Sequence, residues 1–459
     1  MENIKSYELV VIGGGPAGIT LAKELGSKMN MAVIRPENYS MIYCAMPYVI
    51  EGFIPMEKTF KKNELITDSK AVLIRDYVED IDFDSKSIKL KTGEILKYEK
   101  LIIASGAVPF IPPIKGADLN GVLSFKNEDD LLSLKNFTKE KNGPKHAVII
   151  GAGAIGIELA QALKSAEMDV TLIDKENSVL PGLIDSEMAE LPMESLIKKG
   201  IHIILDTEVI EISGSGYVEN IHLNNGKVIK FNDLDDCTAD SADGLNRAVI
   251  FSVGMIPDIS FIKDKKLKIG KGGICVNGKM QTNIKDVYAC GDCVEFKSGI
   301  TGKIIPGKLA TNAVPMAKVL AHNLQGKDYE YPGFYNGAAT KVYDYFIGGT
   351  GLTEREANKS GFKTVVGYSE LTTQFPIMPD AKKIILKLVA DTENGTLIGA
   401  QIVSGEPVAG KLDLLTFAIQ NKSTVRDLEK LSYAAQPFQS FFPASNAVVA
   451  AAEDILKKI

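Results

Sequence analysis

The residue best suited to chemistry is a cysteine that stands just before a short helical pattern. Cys44 lies in the stretch NYSMIYCAMPYVIEG, whose last eight residues predict a short helix with Pro47 in its first turn and Gly52 at its end. A sulfur at a helix N-terminus lies close to about half a positive charge, which lowers the pKa of a thiol from about 8.5 and favours the thiolate. The alternative is a packed cysteine, since free cysteines are often buried.

Two copies of the pattern G-x-G-x-x-G occur, each between an apolar strand pattern and a helical one. The glycines are Gly13, Gly15 and Gly18 in the first copy and Gly151, Gly153 and Gly156 in the second. In this context the glycines permit a tight turn and close approach of the backbone to a pyrophosphate, which the amides of the helix N-terminus face. An ordinary tight turn between strand and helix is the alternative. The repeat predicts two bound dinucleotides.

The residues that follow the next strand differ between the two copies. In the second copy that strand, in MDVTLIDKE, ends at Asp174, close to the spacing of about 20 residues at which an acid meets a ribose 2′-hydroxyl. This acid would repel a 2′-phosphate, so NADH is favoured, although Lys175 beside it leaves NADPH open. The first copy has Ile34 and Arg35 where the acid is expected, and Glu37 is the candidate substitute.

A C-x-x-C pair, Cys290 and Cys293, allows a redox pair or half of a zinc site. The other cysteines and the four histidines offer no second pair at ligand spacing. The sequence therefore predicts no metal site, and buried free thiols are the favoured interpretation.

Composition limits the classes of ligand. The 459 residues carry a formal charge of −6, which leaves no basic surplus for nucleic acid or anionic lipid. No apolar run reaches the roughly 18 residues of a spanning helix, and the first residues lead into a strand pattern with no signal-peptide layout. Five cysteines without regular spacing do not suggest a disulfide scaffold. We expect a cytoplasmic protein with small-molecule ligands and no nucleic-acid or membrane partner.

The stretch from Thr282 to Asp292, T-x5-Y-A-x-G-D, resembles the second flavin motif of the flavoprotein reductases with two dinucleotide domains, in which the Asp hydrogen-bonds the ribityl chain of FAD. With GGGPAG, ASGA at 104–107, GAGAIGIE, SVGMIPD and GTGLTE, the whole chain resembles the pyridine nucleotide–disulfide oxidoreductase family. The resemblance assigns FAD to the first glycine motif and NADH to the second.

The resemblance also implies an α/β fold: two Rossmann-like dinucleotide-binding domains and a C-terminal α+β dimerisation domain. The implied divisions are an FAD-binding domain formed by 1–115 and 259–328, an NAD(H)-binding domain at 116–258, and a dimerisation domain at 329–459. Short alternating runs from about residue 330 onward independently predict an antiparallel sheet in the last piece. A homodimer is expected.

Several positions match the cofactor-binding positions of the family. Glu158 matches an acid beside the nicotinamide, residues 309–311 match the segment along the flavin pyrimidine, and Lys126 stands where arginine is usual. The complete set is Gly13, Gly15, Pro16, Ala17, Gly18, Glu37, Val78, Ala104, Ser105, Gly106, Lys126, Gly151, Gly153, Ile155, Gly156, Glu158, Asp174, Gly254, Asp292, Leu309, Ala310 and Thr311.

Cys44 is the catalytic candidate. Members that use an internal disulfide carry C-x4-C, but Val49 occupies the second position here, so Cys44 would act alone. The pattern S-x3-C-x2-P-Y resembles the single-cysteine branch, which includes coenzyme A-disulfide reductases, NADH oxidases, NADH peroxidases and NADH-dependent polysulfide or persulfide reductases. Tyr433, in LSYAAQPF, resembles a tyrosine that coenzyme A-disulfide reductases bring across the dimer, and an interface aromatic without a catalytic role is the alternative.

Departures from the family patterns narrow the range of possible electron acceptors. Tyr43 replaces the asparagine that precedes the cysteine in coenzyme A-disulfide reductases, and the first glycine loop lacks the histidine of the peroxidase and many oxidases. We therefore expect a small sulfur acceptor, such as polysulfide, persulfide or a low-molecular-weight disulfide like CoA disulfide, with some O2 reduction. The alternatives are an NADH oxidase with O2 as its physiological acceptor and a non-catalytic NADH-sensing flavoprotein.

Overall fold

The structure is a computed structural model that describes residues 4–139, 145–231, 247–307 and 310–459. Residues 4–115 contain strands β1 (Lys5–Ile12), β2 (Met31–Ile34), β3 (Ser40–Met41), β4 (Phe60–Lys61), β5 (Val72–Ile74), β6 (Val78–Asp82), β7 (Ser87–Leu90), β8 (Ile95–Ile103) and β9 (Ala107–Pro109), and helices α1 (Pro16–Leu25), α2 (Met46–Ile50) and α3 (Glu64–Thr67). Residues 116–258 contain β10 (Val122–Leu123), β11 (His146–Ile150), β12 (Asp169–Ile173), β13 (Ile201–Ile204), β14 (Val209–Ser213), β15 (Asn220–Leu223), β16 (Val228–Lys230), β17 (Arg247–Phe251) and β18 (Met255–Pro257), with α4 (Glu128–Lys139), α5 (Ala154–Ser165) and α6 (Glu190–Lys198).

The remaining elements follow in two groups. The first comprises β19 (Val287–Ala289), β20 (Phe296–Lys297), β21 (Ile304–Ile305) and α7 (Ala310–Leu324). The second comprises β22 (Ala338–Val342), β23 (Tyr345–Gly351), β24 (Thr364–Thr372), β25 (Lys383–Asp391) and β26 (Leu397–Ser404), with α8 (Glu354–Ser360), α9 (Ala409–Gln420), α10 (Val425–Glu429) and α11 (Ala447–Leu456).

The first sheet has β1 at its centre, parallel to β2 on one side and to β8 on the other. The last four residues of this strand, LVVI after Glu8, are buried, as expected for a parallel strand covered on both faces. Much later in the chain β19 returns to pair in parallel with β8, where Val287 lies opposite Leu101. We call this sheet and the helices packed on it the first unit. A single core cluster joins side chains from both parts of the sequence.

The second sheet is entirely parallel, in the order β10-β17-β11-β12-β13, and the three-stranded antiparallel sheet β14-β15-β16 accompanies it. We call these sheets and their helices the second unit. Strands β9 and β18 pair with each other, with Val108 opposite Ile256, so the chain passes between the two units twice at one place. The crossing strands hold the carboxyl ends of β8 and β17 near each other.

The C-terminal piece forms an antiparallel sheet in the order β22-β23-β26-β25-β24, as the alternating runs predicted. Helices α9 and α11 contribute to its core, for example through Leu415 and Ile455. Lys387 of β25 is fully buried and ties this piece to the second unit. Its ammonium donates to Asp185 (3.0 Å), Glu354 (2.8 Å) and Glu187, and the last two of these carboxylates are partly exposed. Within the described ranges, no helix is both long and apolar enough to cross a membrane.

The segment from β3 to β4, residues 40–61, leaves the first sheet. Its apolar side chains Met46 and Val49 belong to a core cluster that also contains Ile149 and Leu159 of the second unit and Val342 of the C-terminal sheet. The cysteine segment therefore packs on the second unit although the chain before and after it belongs to the first. This packing places Cys44 at the junction of the units.

Candidate cofactor and thiol site

The two glycine turns have the same backbone geometry. Gly13 and Gly151 have φ values of +110° and +112°, a region that glycine adopts far more readily than other residues. A Cβ added to Gly18 would lie 2.0 Å from the carbonyl oxygen of Gly13, and one on Gly156 would lie 1.9 Å from that of Gly151. Each third glycine therefore lets the helix approach its own turn closely.

The middle glycine of each turn faces open space. A Cβ on Gly15 or Gly153 would meet no atom within 4 Å, and each of these residues is the N-cap of its helix with no side chain hydrogen-bonded to the cap. The first amides of α1 and α5 consequently keep donors that their own helices do not use. Open space beside unbonded helix amides fits a pyrophosphate at both turns.

The neighbouring positions agree with this geometry. Pro16 begins α1, where its missing N–H is not required, and Ala17 packs inward. Ile155, in the first turn of α5, is 43% exposed although it is apolar. The Ile155 side chain therefore lies at the surface next to the second glycine turn. Its contact with a dinucleotide remains a prediction.

Asp174 follows β12 and binds the second glycine turn directly. One carboxylate oxygen accepts a hydrogen bond from the backbone N–H of Ala152 (2.5 Å), and the other accepts one from Glu176 (2.9 Å). The carboxylate therefore stabilises the loop, and each oxygen retains a lone pair for a further donor. Recognition of the ribose by Asp174 stays a prediction.

Arg35 occupies the corresponding position after β2, and its side chain is only 3% exposed. Its guanidinium donates to the carbonyl oxygens of Glu37 (3.1 Å) and Asn38 (3.2 Å) and to the side chain of Asn63. A Cβ on Gly14 would lie 2.7 Å from the Arg35 Cδ, so the arginine lies directly beneath the first turn. The sequence indicated only that an acid is missing at this position. The signal available for Arg35 was Gly14, because a residue without a side chain leaves room for a large buried neighbour. The carboxylate of Glu37 is exposed.

The strand ends ASGA and SVGMIPD meet where the chain crosses between the units. Ser105 Oγ donates to the carbonyl oxygen of Asp258 (2.6 Å), and the Asp258 N–H donates to Gly106 (3.0 Å). Gly106 and Gly254 have φ values of +81° and +115°, and a Cβ on either would meet no atom within 4 Å. Ala104 is buried next to the first turn. The two motifs thus form one wall beside the glycine turns.

Cys44 lies in a 3-10 turn, Tyr43–Ala45, that leads directly into α2. Pro47 is in the first turn of α2, and Gly52 follows its end with φ +78°, as the sequence predicted. The Cys44 side chain is exposed, unlike the sulfurs of Cys290 and Cys293. Packing therefore does not account for Cys44.

Charged and phenolic groups lie near the cysteine turn. Lys126, between β10 and α4, has its ammonium 4.3 Å from the centroid of the Tyr43 ring. Burial lowers the pKa of Lys126, and the negative charges of Asp292 and of a Cys44 thiolate oppose that change. Burial raises the pKa of Tyr48, and the negative charges of Glu158 and Cys44 add to the effect. The fold thus gathers these groups around one sulfur.

Glu158 on α5 is held by the C-terminal sheet. Thr340 Oγ1 donates to its carboxylate at 2.7 Å, and Thr340 is itself buried. Burial raises the pKa of Glu158, while this hydrogen bond acts in the opposite direction. The acid predicted to lie beside the nicotinamide is therefore a partly desolvated carboxyl whose orientation depends on β22.

Asp292 follows β19 and is partly buried, between the two sulfurs of the C-x-x-C pair in sequence. Cys293 Sγ donates to the carbonyl oxygen of Ile103 (3.3 Å), and burial raises the pKa of Cys290. Both cysteines are free thiols inside the first core cluster. They pack beneath the strand ends and do not face the Cys44 junction as an exposed pair.

The remaining predicted positions lie in β6, at the start of α7 and after α10. Val78 begins β6 and is half-buried, and Thr311 is exposed in the first turn of α7, beside the start of the helix at Ala310. Leu309 lies outside the described residues. Tyr433 is 39% exposed and donates to the carbonyl oxygen of Pro443 in its own chain (2.5 Å). Its role toward a partner's cysteine stays a prediction.

A family model described as pyridine nucleotide-disulphide oxidoreductase matches residues 7–317, and the model of the dimerisation domain of that family matches residues 338–442. An NADH oxidase of Methanocaldococcus jannaschii is 36% identical over 98% of this chain and 99% of its own. An NAD(P)H coenzyme A polysulfide/persulfide reductase of Pyrococcus horikoshii is 30% identical over 94% of this chain and 95% of its own. The solved structure of an NAD-dependent persulfide reductase from A. fulgidus is similar with a TM-score of 0.89 and 29% identity, over 98% of this chain and 83% of that chain.

Proposed function

The chain belongs to the pyridine nucleotide–disulphide oxidoreductase family, as its motifs predicted, and on that premise we propose that it is an FAD enzyme that passes electrons from NADH through Cys44 to a small sulfur acceptor. The observation that carries the proposal is the exposed thiol of Cys44 at the junction of the two glycine-turn units, near Lys126 and Tyr48. Relatives named NADH oxidase and polysulfide/persulfide reductase support these acceptor classes.

The residues present fit both nucleotides. The open first turn at Gly15 would hold FAD, which when bound supplies the two-electron chemistry between a nicotinamide and a sulfur. The second turn at Gly153 would hold NADH, with Asp174 disfavouring a 2′-phosphate and Lys175 leaving some use of NADPH. The hydrogen bond from Thr340 orients the Glu158 carboxyl on α5, and the charge of this carboxyl contributes to the raised pKa of Tyr48.

Cys44 would react with polysulfide as a thiolate. Its sulfur attacks the terminal sulfur of the acceptor, the acceptor S–S bond breaks, and a polysulfide shorter by one sulfur leaves with the electron pair. Cys44 is then a persulfide. The electron pair that originates in NADH, together with one proton, cleaves this new S–S bond and releases hydrosulfide, which restores the thiolate.

Replacement of the cysteine tests the proposal. Cys44→Ser should abolish NADH-dependent polysulfide reduction, while Cys275→Ser, which changes the half-buried thiol that donates to Glu295, should retain it. Anaerobic titration of the isolated enzyme should consume two equivalents of NADH per FAD if Cys44 is oxidised at rest, and one if the sulfur is already reduced. Unchanged polysulfide kinetics in Cys44→Ser would remove the proposal.

An NADH oxidase is the second candidate, because the relative from Methanocaldococcus jannaschii with that name is 36% identical over 98% of this chain. In this case Cys44 cycles through a sulfenic acid and O2 is the physiological acceptor. The two functions separate when kcat/KM for O2 and for polysulfide is measured on the same preparation. A four-electron oxidase would also release hydrogen peroxide after Cys44→Ser, whereas the wild type forms water.

We further infer that the enzyme is a homodimer. The family dimerisation domain matches residues 338–442, and this stretch ends in exposed aromatic side chains, including Phe438 at 63% and Phe442 at 47% exposure. Exposed aromatic residues close together are typical of a surface that another chain covers. Sedimentation of the purified protein as a monomer at micromolar concentration would contradict this inference.

A further inference from the structure

The ammonium of Lys126 lies over the ring of Tyr43, the residue before Cys44, without a carboxylate partner in the described chain. Its Nζ lies 4.3 Å from the centroid of the Tyr43 ring, and no hydrogen bond or ion pair joins this Nζ to a residue within the described ranges. An ammonium has three donors, and a partly desolvated cation with unused donors attracts an anion. The arrangement therefore leaves room for a negatively charged group.

The backbone of Lys126 is fixed although its head group is not paired. The carboxylate of Asp130 accepts hydrogen bonds from the backbone N–H of Lys126 (2.7 Å) and from the hydroxyl of Ser124 (3.2 Å). The nearby acid is thus committed to the turn at the start of α4. The lysine side chain extends from this fixed point to the cysteine segment, where the aromatic face of Tyr43 attracts the cation.

The charges that change the pKa of Lys126 connect this ammonium with the cysteine turn. Burial lowers the pKa of Lys126, and the two charges that raise it again are those of Asp292 and the Cys44 thiolate. Tyr43 precedes Cys44 in the same 3-10 turn, so the ammonium contacts the residue next to the reacting sulfur. The ammonium is consequently part of the environment of the sulfur.

We propose that Lys126, held over the ring of Tyr43, is the residue that recognises the acceptor at Cys44 and that it selects a small anionic sulfur species, such as an inorganic polysulfide or a persulfide anion, over neutral acceptors. This inference rests on the proposed function of Cys44. The ammonium attracts the anion before attack and stabilises the shortened polysulfide anion that leaves. A neutral disulfide or O2 gains less from it, because neither carries charge before the reaction.

The preference of Lys126 for anions can be tested without turnover, by alkylation of Cys44. Iodoacetate and iodoacetamide both react with the thiolate, but only iodoacetate carries a negative charge, so the ratio of their rates reports the local charge. The holoenzyme, reduced anaerobically with NADH, would be treated with each reagent, and the Cys44 adduct would be quantified by peptide mass spectrometry. Lys126→Gln should lower the iodoacetate to iodoacetamide ratio about tenfold, which corresponds to ~1.4 kcal/mol, and Lys126→Arg should preserve it.

The matched control is a second lysine over a tyrosine ring, Lys199 over Tyr343, with 5.5 Å from Nζ to the centroid. Lys199→Gln should leave the ratio unchanged. In turnover, Lys126→Gln should lower kcat/KM for inorganic polysulfide more than for the neutral 2-hydroxyethyl disulfide. If Lys126→Gln does not fold, Lys126→Met supplies the same comparison.

Three results would overturn the inference: an unchanged alkylation ratio in the variant that lacks the charge, an equal loss with both acceptors, or release of FAD from Lys126→Gln. The last would assign Lys126 to cofactor binding, as the family position predicted. These outcomes are independent of the Cys44→Ser test. If Cys44→Ser leaves polysulfide turnover unchanged, the proposed role of the thiol is wrong. If only the tests of Lys126 fail, the role of the thiol in turnover still stands.

Discussion

The two glycine turns share a backbone but are stabilised by side chains of opposite charge. In the first unit the buried guanidinium of Arg35 donates to carbonyl oxygens of residues 37 and 38, whereas in the second the carboxylate of Asp174 accepts from backbone amides. Each side chain follows the strand that comes directly after the glycine turn and its helix. The comparison shows that the conformation of the turn follows from glycine sterics. The side chain at the strand end can have either charge, provided that it forms hydrogen bonds with the neighbouring loop.

The two units also differ in how they are attached to the C-terminal sheet. Lys387 of that sheet forms a buried ionic cluster with Asp185, and Thr340 holds Glu158, and both of these acids belong to the second unit. These two contacts connect the second unit to the C-terminal sheet. Substitutions that affect one unit and spare the other test this difference.

The largest effect is expected from Lys387→Met. The substitution leaves three carboxylates around a site that has lost its cation, and removal of one partner from a buried ion cluster costs about 3–5 kcal/mol. The free energy of unfolding should fall by that amount, while FAD content at low temperature should change little. Chemical denaturation monitored by circular dichroism and by flavin fluorescence measures the two quantities.

Acid provides the control for this variant. Although burial alone would raise them, the hydrogen bonds from Gln401 and Lys387 lower the pKa of Asp185, and that from Lys387 lowers the pKa of Glu187. Their stabilisation is therefore present above the ordinary carboxyl pKa of about 4 and is lost as the pH falls through the lower folded values. The difference between wild type and Lys387→Met should shrink in that range; a constant difference would show that the cluster does not act through charge.

Arg35→Met is expected to affect the first unit. It removes the buried guanidinium that donates to Glu37, Asn38 and Asn63, and each of these partly buried hydrogen bonds contributes about 0.5–1.5 kcal/mol. The ratio of FAD to protein after dialysis should fall, while NADH affinity is unchanged. Arg75→Met, at an arginine that reaches Asn38 only at 3.5 Å, is the matched control. Full retention of FAD in Arg35→Met would show that the arginine does not organise the first turn.

Asp174→Asn is expected to have the smallest effect on stability and to change nucleotide preference. The amide keeps one acceptor for the loop but loses the charge that repels a 2′-phosphate, so the ratio of kcat/KM for NADPH to that for NADH should rise about tenfold, equivalent to ~1.4 kcal/mol. Lys175→Gln should move the ratio in the opposite direction. An unchanged preference in Asp174→Asn would mean that the acid serves only the glycine turn.

The sequence predicted the family, the fold class and the glycine turns because each depends on a local pattern of residues. It also predicted the turn around Cys44, from Pro47 to Gly52, since proline and glycine restrict the backbone at their own positions. The C-x-x-C pair was expected to be buried, and the structure places both sulfurs in the core of the first unit. The pairing of β19 with β8 was not predicted, because nothing in residues 287–289 alone specifies a partner.

By itself, the sequence determined which residues could turn, pair or react, because backbone sterics and side-chain chemistry belong to each residue. Only the tertiary structure decided which of them meet. Arg35 became a support of the first turn because Gly14 leaves space above it, and Lys126 came to lie 4.3 Å from the ring of Tyr43 because residues 40–61 pack on the second unit. Contacts between positions so far apart in the chain depend on how the cores pack, which no local pattern of residues encodes.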